Sequence, residues 1–449
     1  MPMETLENRL QKRIHVSLYA LLFLTTLLGL SVLLEGCTDR CETTHEYVYY
    51  EPVYSTVEEI RAGVSLLSPQ PVHAVGKIYF KDGIMYLNEP GQGIHIINNQ
   101  NPANPVPLNF LKIPGNYDLA IKGNTLYADS YVDLVAFDVS DLSAIQEVNR
   151  IGGVFRNYQV MGYAIDADCC VITEFEEKKV VQISESDCSG GLQPWGGVFF
   201  ENGIALRSDM AASFSSMAAI APGPGSGSGV GGSMARFTVT GDHLYLLDGD
   251  DIQAVNVSTE TNPVVKTRTE IAWDIETIFP YKANLFIGSS SGMHILDISS
   301  PESPVRISTY EHIRSCDPVV VNDDYAYVTL RSGNACQGFS NQLEVIDISN
   351  LTSPQLLQTY PMTNPHGLGI DNTTLFICDG DDGLKVFDAS DISKISQNLL
   401  AHYKDINAYD VIPFNDILMM IGSDGIFQFD YSNPNDMKML SKIDVTDEE

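Results

Sequence analysis

An all-β fold, a β-propeller of four-stranded blades, is what the sequence predicts, and three observations predict it. A unit of strand, polar turn, strand, Gly-containing turn and strand recurs along residues 75–445. The last residue of its third strand falls at Asn98, Asp138, Ser184, Asn256, Asp297, Asp347, Asp388 and Asp430, at spacings of 40, 46, 72, 41, 50, 41 and 42. A turn rich in Pro and Ser follows that residue and leads into a fourth, less regular strand. Four-stranded units at about this period are propeller blades, and one blade cannot bury both faces, so neighbours stack until the ring closes. Eight copies predict eight blades, or seven if the degenerate copy around Ser184 is a decoration. An open β-solenoid competes, but its rungs are usually shorter.

Composition narrows the function. The 449 residues carry 58 acidic and 26 basic side chains, a net charge of −32, which opposes nucleic acid and docking on anionic lipid through a basic face. An apolar content of 44% still supports a core.

In chain order, residues 1–36 read as a lipoprotein signal peptide. Arg9, Lys12 and Arg13 precede an uncharged run from Val16 to Leu34, which stops at Glu35-Gly36-Cys37. Cys37 is the expected lipidation site; an uncleaved signal anchor is the alternative, since the run is long enough to span a bilayer. Residues 37–70 are polar and Tyr-rich and read as a lipidated stalk, ending in a strand around Val64–Leu67. Residues 71–449 are the propeller, interrupted at about 207–235 by a stretch rich in Gly, Ser, Ala and Met. It is expected to form a loop on one face, either as a tolerated insertion or as a cover for the channel or a partner.

Each turn after a third strand has a local reason: prolines and backbone-bonding Asn or Ser, as in Ser299-Ser300-Pro301-Glu302-Ser303-Pro304. The Asp of Asp-Ile-Ser is expected to accept backbone amides of that turn.

The third strands, such as Leu343-Glu344-Val345-Ile346-Asp347, Met293-His294-Ile295-Leu296-Asp297 and Leu134-Val135-Ala136-Phe137-Asp138, resemble the LVIVD repeat family. Gly232–Phe237, Ser315–Val320 and Asn364–Gly369 resemble the long LVIVD lipoproteins of Bacteroidetes-type bacteria. The resemblance implies a propeller and a cell-envelope location, and no reaction.

Export makes disulfides durable. In a four-stranded meander the loop before the first strand and the loop between strands two and three share one face. Cys316 and Cys336 occupy those two loops of one unit and are expected to pair. Cys188 is expected to pair with Cys169 or Cys170, and Cys378, within a strand, to be a buried hydrophobe. A zinc site would need closer Cys spacing than the chain offers.

First strands lie nearest the axis of a propeller, so Asp118, Asp274, Asp317, His366 and Asp410, each just before or at the start of one, are expected to ring one channel mouth. Carboxylates with a His there suit a divalent cation such as Ca2+; the plainer reading is that each Asp bonds the backbone of the next blade. Asp248-Gly249-Asp250-Asp251 and Asp379-Gly380-Asp381-Asp382-Gly383 resemble calcium loops in composition but read as solvated turns. No HExxH or phosphate-binding GxxxxGK occurs. The expected function is that of an outer-membrane, lipid-anchored scaffold that holds an envelope protein partner. A metal-assisted hydrolase or lactonase at the channel mouth, and a carbohydrate or envelope-polymer binder, are the alternatives.

Overall fold

A computed structural model describes residues 40–156, 170–187, 235–272, 275–312, 318–332 and 340–446. It also describes the short pieces 159–160, 163–164, 198–200, 205–206 and 230–231 and the single residues 25 and 233. The chain divides into two compact units, Met1–Glu51 with Glu176–Arg207, and Pro52–Phe175 with Ser208–Glu449.

The first unit holds most of one four-stranded sheet, in the order β13-β1-β14-β15, formed by β1 (Arg40–Thr56), β13 (Cys170–Asp187), β14 (Val198–Phe200) and β15 (Ala205–Leu206). β14 runs parallel to β1, Tyr49 opposite Phe199. β1 and β13 both continue into the second unit, where Ser55 and Thr173 hydroxyls lie 3.1 Å apart.

In the second unit α1 (Val57–Ala62) starts at a capping box: the Thr56 hydroxyl accepts from the Glu59 amide and the Glu59 carboxylate accepts from the Thr56 amide. The strand expected near Val64–Leu67 is β2 (Ser65–Leu67), which pairs with the outer edge of blade 1. The stretch read as a stalk therefore carries regular structure from Arg40 on. Its Tyr- and Val-rich run has the β-propensity to form a paired strand.

The ring follows. Blade 1 is β3 (Ile78–Lys81), β4 (Ile84–Glu89), β5 (Gly93–Asn98) and β6 (Val106–Lys112). Blade 2 is β7 (Leu119–Lys122), β8 (Thr125–Ser130), β9 (Asp133–Asp138) and β10 (Gln146–Ile151). Between blades 2 and 3 come a two-stranded pair, β11 (Gln159–Val160) with β12 (Tyr163–Ala164), then β13 to β15 and β16 (Val230–Gly231). Blade 3 is β17 (Phe237–Thr240), β18 (His243–Asp248), β19 (Asp251–Asn256) and β20 (Val264–Glu270). Blade 4 is β21 (Ile275–Tyr281), β22 (Asn284–Ser289), β23 (Gly292–Asp297) and β24 (Val305–Glu311). Blade 5 is β25 (Val319–Val321), β26 (Tyr325–Leu330), β27 (Gln342–Asp347) and β28 (Gln355–Pro361). Blade 6 is β29 (Leu368–Asp371), β30 (Thr374–Cys378), β31 (Leu384–Asp388) and β32 (Leu399–Tyr403). Blade 7 is β33 (Ala408–Phe414), β34 (Ile417–Gly422), β35 (Gly425–Asp430) and β36 (Lys438–Asp444).

Among the described residues the ring has seven blades, not eight. The copy around Ser184 lies in β13, outside the ring, and blades 2 and 3 pack directly on each other. The Tyr127 hydroxyl donates to the Glu260 carbonyl at 2.7 Å and Lys122 donates to the Val257 carbonyl at 3.0 Å, which leaves no room for a blade between them.

The Asp-Ile-Ser expectation holds in every blade. The side-chain oxygen of Asn98, Asp138, Asn256, Asp297, Asp347, Asp388 or Asp430 accepts the amide two residues on, at 2.7 to 3.0 Å. The glycine opening several third strands is also forced. A Cβ on Gly383, where φ is +84°, would sit 1.9 Å from the Tyr403 carbonyl oxygen of the fourth strand.

Each fourth strand carries one β-bulge against the third, in all seven blades. The core lies between blades: Ile96, Leu126 and Val135 in one cluster, Leu247, Ile287 and Leu296 in another, all fully buried. Among the described residues no helix is long and apolar enough to cross a membrane.

Candidate functional site at the ring axis

First strands face one another around the axis: β3 meets β7, β7 meets β17, and the sequence continues through β21, β25 and β29 to β33. Asp118 and Asp410 stand at this centre, and both are buried. Asp118 Oδ1 accepts the Leu119 amide at 2.7 Å, and Oδ2 accepts the Arg236 amide at 2.7 Å, the Phe237 amide at 3.1 Å and Lys77 Nζ at 3.3 Å. One carboxylate thus joins blade 1, blade 2 and the chain leading into blade 3. Burial lowers the Lys77 pKa, and the Asp118 charge opposes that.

Asp410 Oδ1 accepts the Ser233 hydroxyl at 2.8 Å, while its Oδ2 is buried with no hydrogen-bond partner among the described residues. Burial pushes this carboxyl well above the usual range, against the pull of Ser233, the Val411 amide and Lys77. His366 packs its ring on Tyr409 at 5.2 Å, and Nε2 is 3.3 Å from both Arg331 Nη1 and Asn364 Nδ2. Burial and the Arg331 charge lower its pKa from 6.5 to about 3, so it is a neutral acceptor. Asp274 and Asp317 lie outside the described residues.

The centre is crossed by the chain itself. β16 pairs with β3, Val230 opposite Phe80 and Gly231 opposite Tyr79. Ser233 then bonds Asp410 of blade 7 and accepts the Leu368 amide of blade 6 at 3.0 Å. The Ala235 carbonyl accepts the Ile278 amide of blade 4 at 2.7 Å before Arg236 and Phe237 reach Asp118. Val230, Gly231, Ser233 and Ala235–Phe237 therefore bond the innermost strands of blades 1, 4, 6 and 7, and Asp118 just ahead of blade 2's.

Sequence reading missed a second carboxylate theme, at the end of second strands. Asp129 Oδ1 accepts Asn116 Nδ2 and the Tyr117 and Asp118 amides at 2.7 to 2.9 Å, and burial raises its pKa from 3.8 to about 6. Asp379 accepts the Thr363 and Asn364 amides in the same way. The signal was the Asp closing Tyr127-Ala128-Asp129 and Ile377-Cys378-Asp379.

Nor are the two DGDD runs solvated throughout. Asp248 and Asp379 are buried. An internal cation lies between carboxylates in each: Arg268 Nη1 is 2.6 Å from Asp248 and 3.3 Å from Asp251, and Lys385 Nζ bonds Asp379 and lies 2.6 Å from Asp382. Among the described residues no group of three or more His, Cys, Asp or Glu is placed to hold a metal ion.

Gly288-Ser289-Ser290-Ser291-Gly292 has the Gly-x-Ser-x-Gly spacing of a nucleophile elbow, which requires a strand-to-helix turn. Here it joins β22 to β23 in a hairpin, and the adjacent His294 meets Ser289 at 3.2 Å and Thr309 at 3.0 Å, so both ring nitrogens are occupied. Burial, then Arg306 and His312, lower the His294 pKa from 6.5 to about 4. Cys378 is free and buried, as expected. Cys170 is disulfide-bonded. Cys37, Cys169, Cys188, Cys316 and Cys336 lie outside the described residues.

Fold and axis together define a seven-bladed β-propeller crossed by its own chain. The protein contains LVIVD repeats, matched at residues 116–151, 284–312 and 313–362. Among solved structures it is similar to the computationally designed Ika8 protein, at 10% identity over 85% of this chain and 91% of that one, with a TM-score of 0.50. Kluyveromyces lactis Hsv2 gives 9% identity over 83% and 100%, TM-score 0.46. BamB from Moraxella catarrhalis gives 10% over 85% and 92%, TM-score 0.43. At such identities the likeness is one of fold alone. No curated protein matches the chain.

Proposed function

We propose that the protein is a lipid-anchored scaffold of the cell envelope, held by Cys37 in the outer membrane, whose propeller binds a protein partner. The observation that carries the reading is the use of the axial polar groups. Asp118 spends its oxygens on Leu119, Arg236, Phe237 and Lys77, and Asp410 is tied to Ser233. An enzyme needs unlike groups converging on open space, whereas these carboxylates hold the ring and the crossing segment. The basic n-region, apolar run and Cys37 support the anchor.

Purification of the whole protein from native membranes, with mass spectrometry of what accompanies it, tests the scaffold. A stoichiometric envelope protein is the expected result, and a protein recovered alone under several mild detergents would count against it. Radiolabelled palmitate entering the wild type but not Cys37→Ala tests the anchor separately. Tight calcium binding lost in Asp317→Ala would move the reading to the metal-assisted hydrolase.

A further inference from the structure

Blades 1 to 7 follow one another in the chain, so six of the seven blade junctions are covalently continuous and the one between blades 7 and 1 is not. Each of those two blades is also complete in itself: β33 to β36 and β3 to β6 each come from one uninterrupted stretch. Among the described residues no strand is shared across the seam. Among them it is bridged directly by Asn99 with Gln428, Phe80 against Phe414 at 5.5 Å, Ser441 to the Pro102 carbonyl at 2.6 Å, a single parallel bridge of Val72 with Val445, the bonds of Thr446 to Val72 and His73, and an apolar cluster in which Ile78, Met85 and Leu87 of blade 1 join Ile412, Met419 and Ile421 of blade 7.

Val230, Gly231 and Ser233 lie at that seam. β16 pairs with the inner edge of β3 in blade 1 at Phe80 and Tyr79, and two residues later the Ser233 hydroxyl donates to Asp410 in β33 of blade 7. β16 is also in contact with β33 itself. Ser233 uses its second capacity to accept the Leu368 amide of blade 6. The hydroxyl of a residue 2% exposed, donating to one blade and accepting from another, is a built joint rather than a passing contact.

We propose that Val230, Gly231, Ser233 and Ala235–Phe237, on the leg by which the chain enters blade 3, form a clasp that reinforces the closure of the ring, in a chain whose first and last blades share no described strand. The seam and the insertion are then coupled through covalent continuity: whatever draws on residues before Val230 draws on the joint between blades 7 and 1. The inference does not depend on what the propeller binds.

Hydrogen exchange on the full chain carrying Ser233→Ala tests it. Loss of the Leu368 bond speeds exchange at Leu368 under any reading, so the informative amides are those across the seam that never touch Ser233. Thr446, which donates to the Val72 carbonyl at 2.8 Å, is such an amide. At least tenfold faster exchange there, with Phe286 and Val328 in blades 4 and 5 unchanged, is the expected result. A change confined to Leu368, or one spread evenly round the ring, overturns the proposal. A Val72→Cys/Val445→Cys disulfide added to Ser233→Ala closes the seam independently and is expected to restore protection at Thr446. If Ser233→Ala does not fold, recovery of folding by that disulfide supports the clasp, and failure to recover overturns it.

Discussion

Asn99 and Gln428 stand 329 residues apart and exchange two hydrogen bonds, each amide nitrogen donating to the other's oxygen at 2.8 Å. Both side chains are buried, and the pair joins the turn after the third strand of blade 1 to the third strand of blade 7. Truncating one partner leaves the other's buried amide short of its hydrogen bonds. Asn99→Ala is expected to cost about 1–3 kcal/mol, read from urea unfolding. Gln428→Ala in that background should cost much less than it does alone, and strictly additive losses in the double-mutant cycle would refute the coupling.

Lys385 stands between Asp379, fully buried, and Asp382. Lys385→Met leaves a buried carboxylate without its cation and is expected to destabilise the protein by about 3–5 kcal/mol, with most of the loss recovered in Lys385→Met/Asp379→Asn. Because Lys385 and Arg268 already hold the space between the carboxylates, millimolar calcium should leave the wild-type melting temperature unmoved. A rise on adding calcium, reversed by chelator, would contradict this.

Two axial groups pull stability in opposite directions with pH. Asp129 rises from 3.8 to about 6 on folding, so the native state holds the extra proton across that window, and the contribution of Asp129 is present below it and lost as pH rises through 6. His366 falls from 6.5 to about 3, so it contributes stability at neutral pH that is lost on acidification through that window. Removing the first exposes the second. Asp129→Asn should therefore lose stability more steeply than wild type between pH 6.5 and 4, measured as urea midpoints, and parallel curves would count against the assignment.

Cys316 with Cys336, and Cys188 with Cys169 or Cys170, remain the pairings proposed from the blade meander. Peptide mapping of protein purified without reductant should recover both. Each closes a loop of about twenty residues, worth about 3 kcal/mol if unstrained, so Cys316→Ser/Cys336→Ser should lower the melting temperature while leaving the reduced protein's value unchanged. Recovery of Cys316 as a free thiol would refute the pairing.

Most of the ring was legible because its signals are local. An Asp or Asn ending the third strand caps an amide two residues later, and all seven blades do so. The count missed by one for the complementary reason. Val180-Val181-Gln182-Ile183-Ser184 has the pattern of a strand, but pattern does not say which sheet the strand joins, and here it joins β1.

Likewise Asp248 and Asp379 look like any acid in a Gly-rich turn until Arg268, from a fourth strand, and Lys385, from a third, arrive beside them. Of the acids expected at the channel mouth, Asp118 and Asp410 are buried beside the innermost strands. That Ser233 and Arg236 would cross the axis was not readable, because Gly- and Ser-rich sequence carries no pairing signal.

The bulge repeated in every fourth strand bears on how the molecule behaves among its own kind. Outer strands are where sheets recruit further strands, and a ring presents them all to its surroundings at once. Interrupting each at the same place breaks the run of unpaired amides and carbonyls and twists the strand locally; blade 1 is further covered by β2. Copies crowded side by side thus meet fourth strands whose edges are interrupted, which disfavours their pairing into a common sheet.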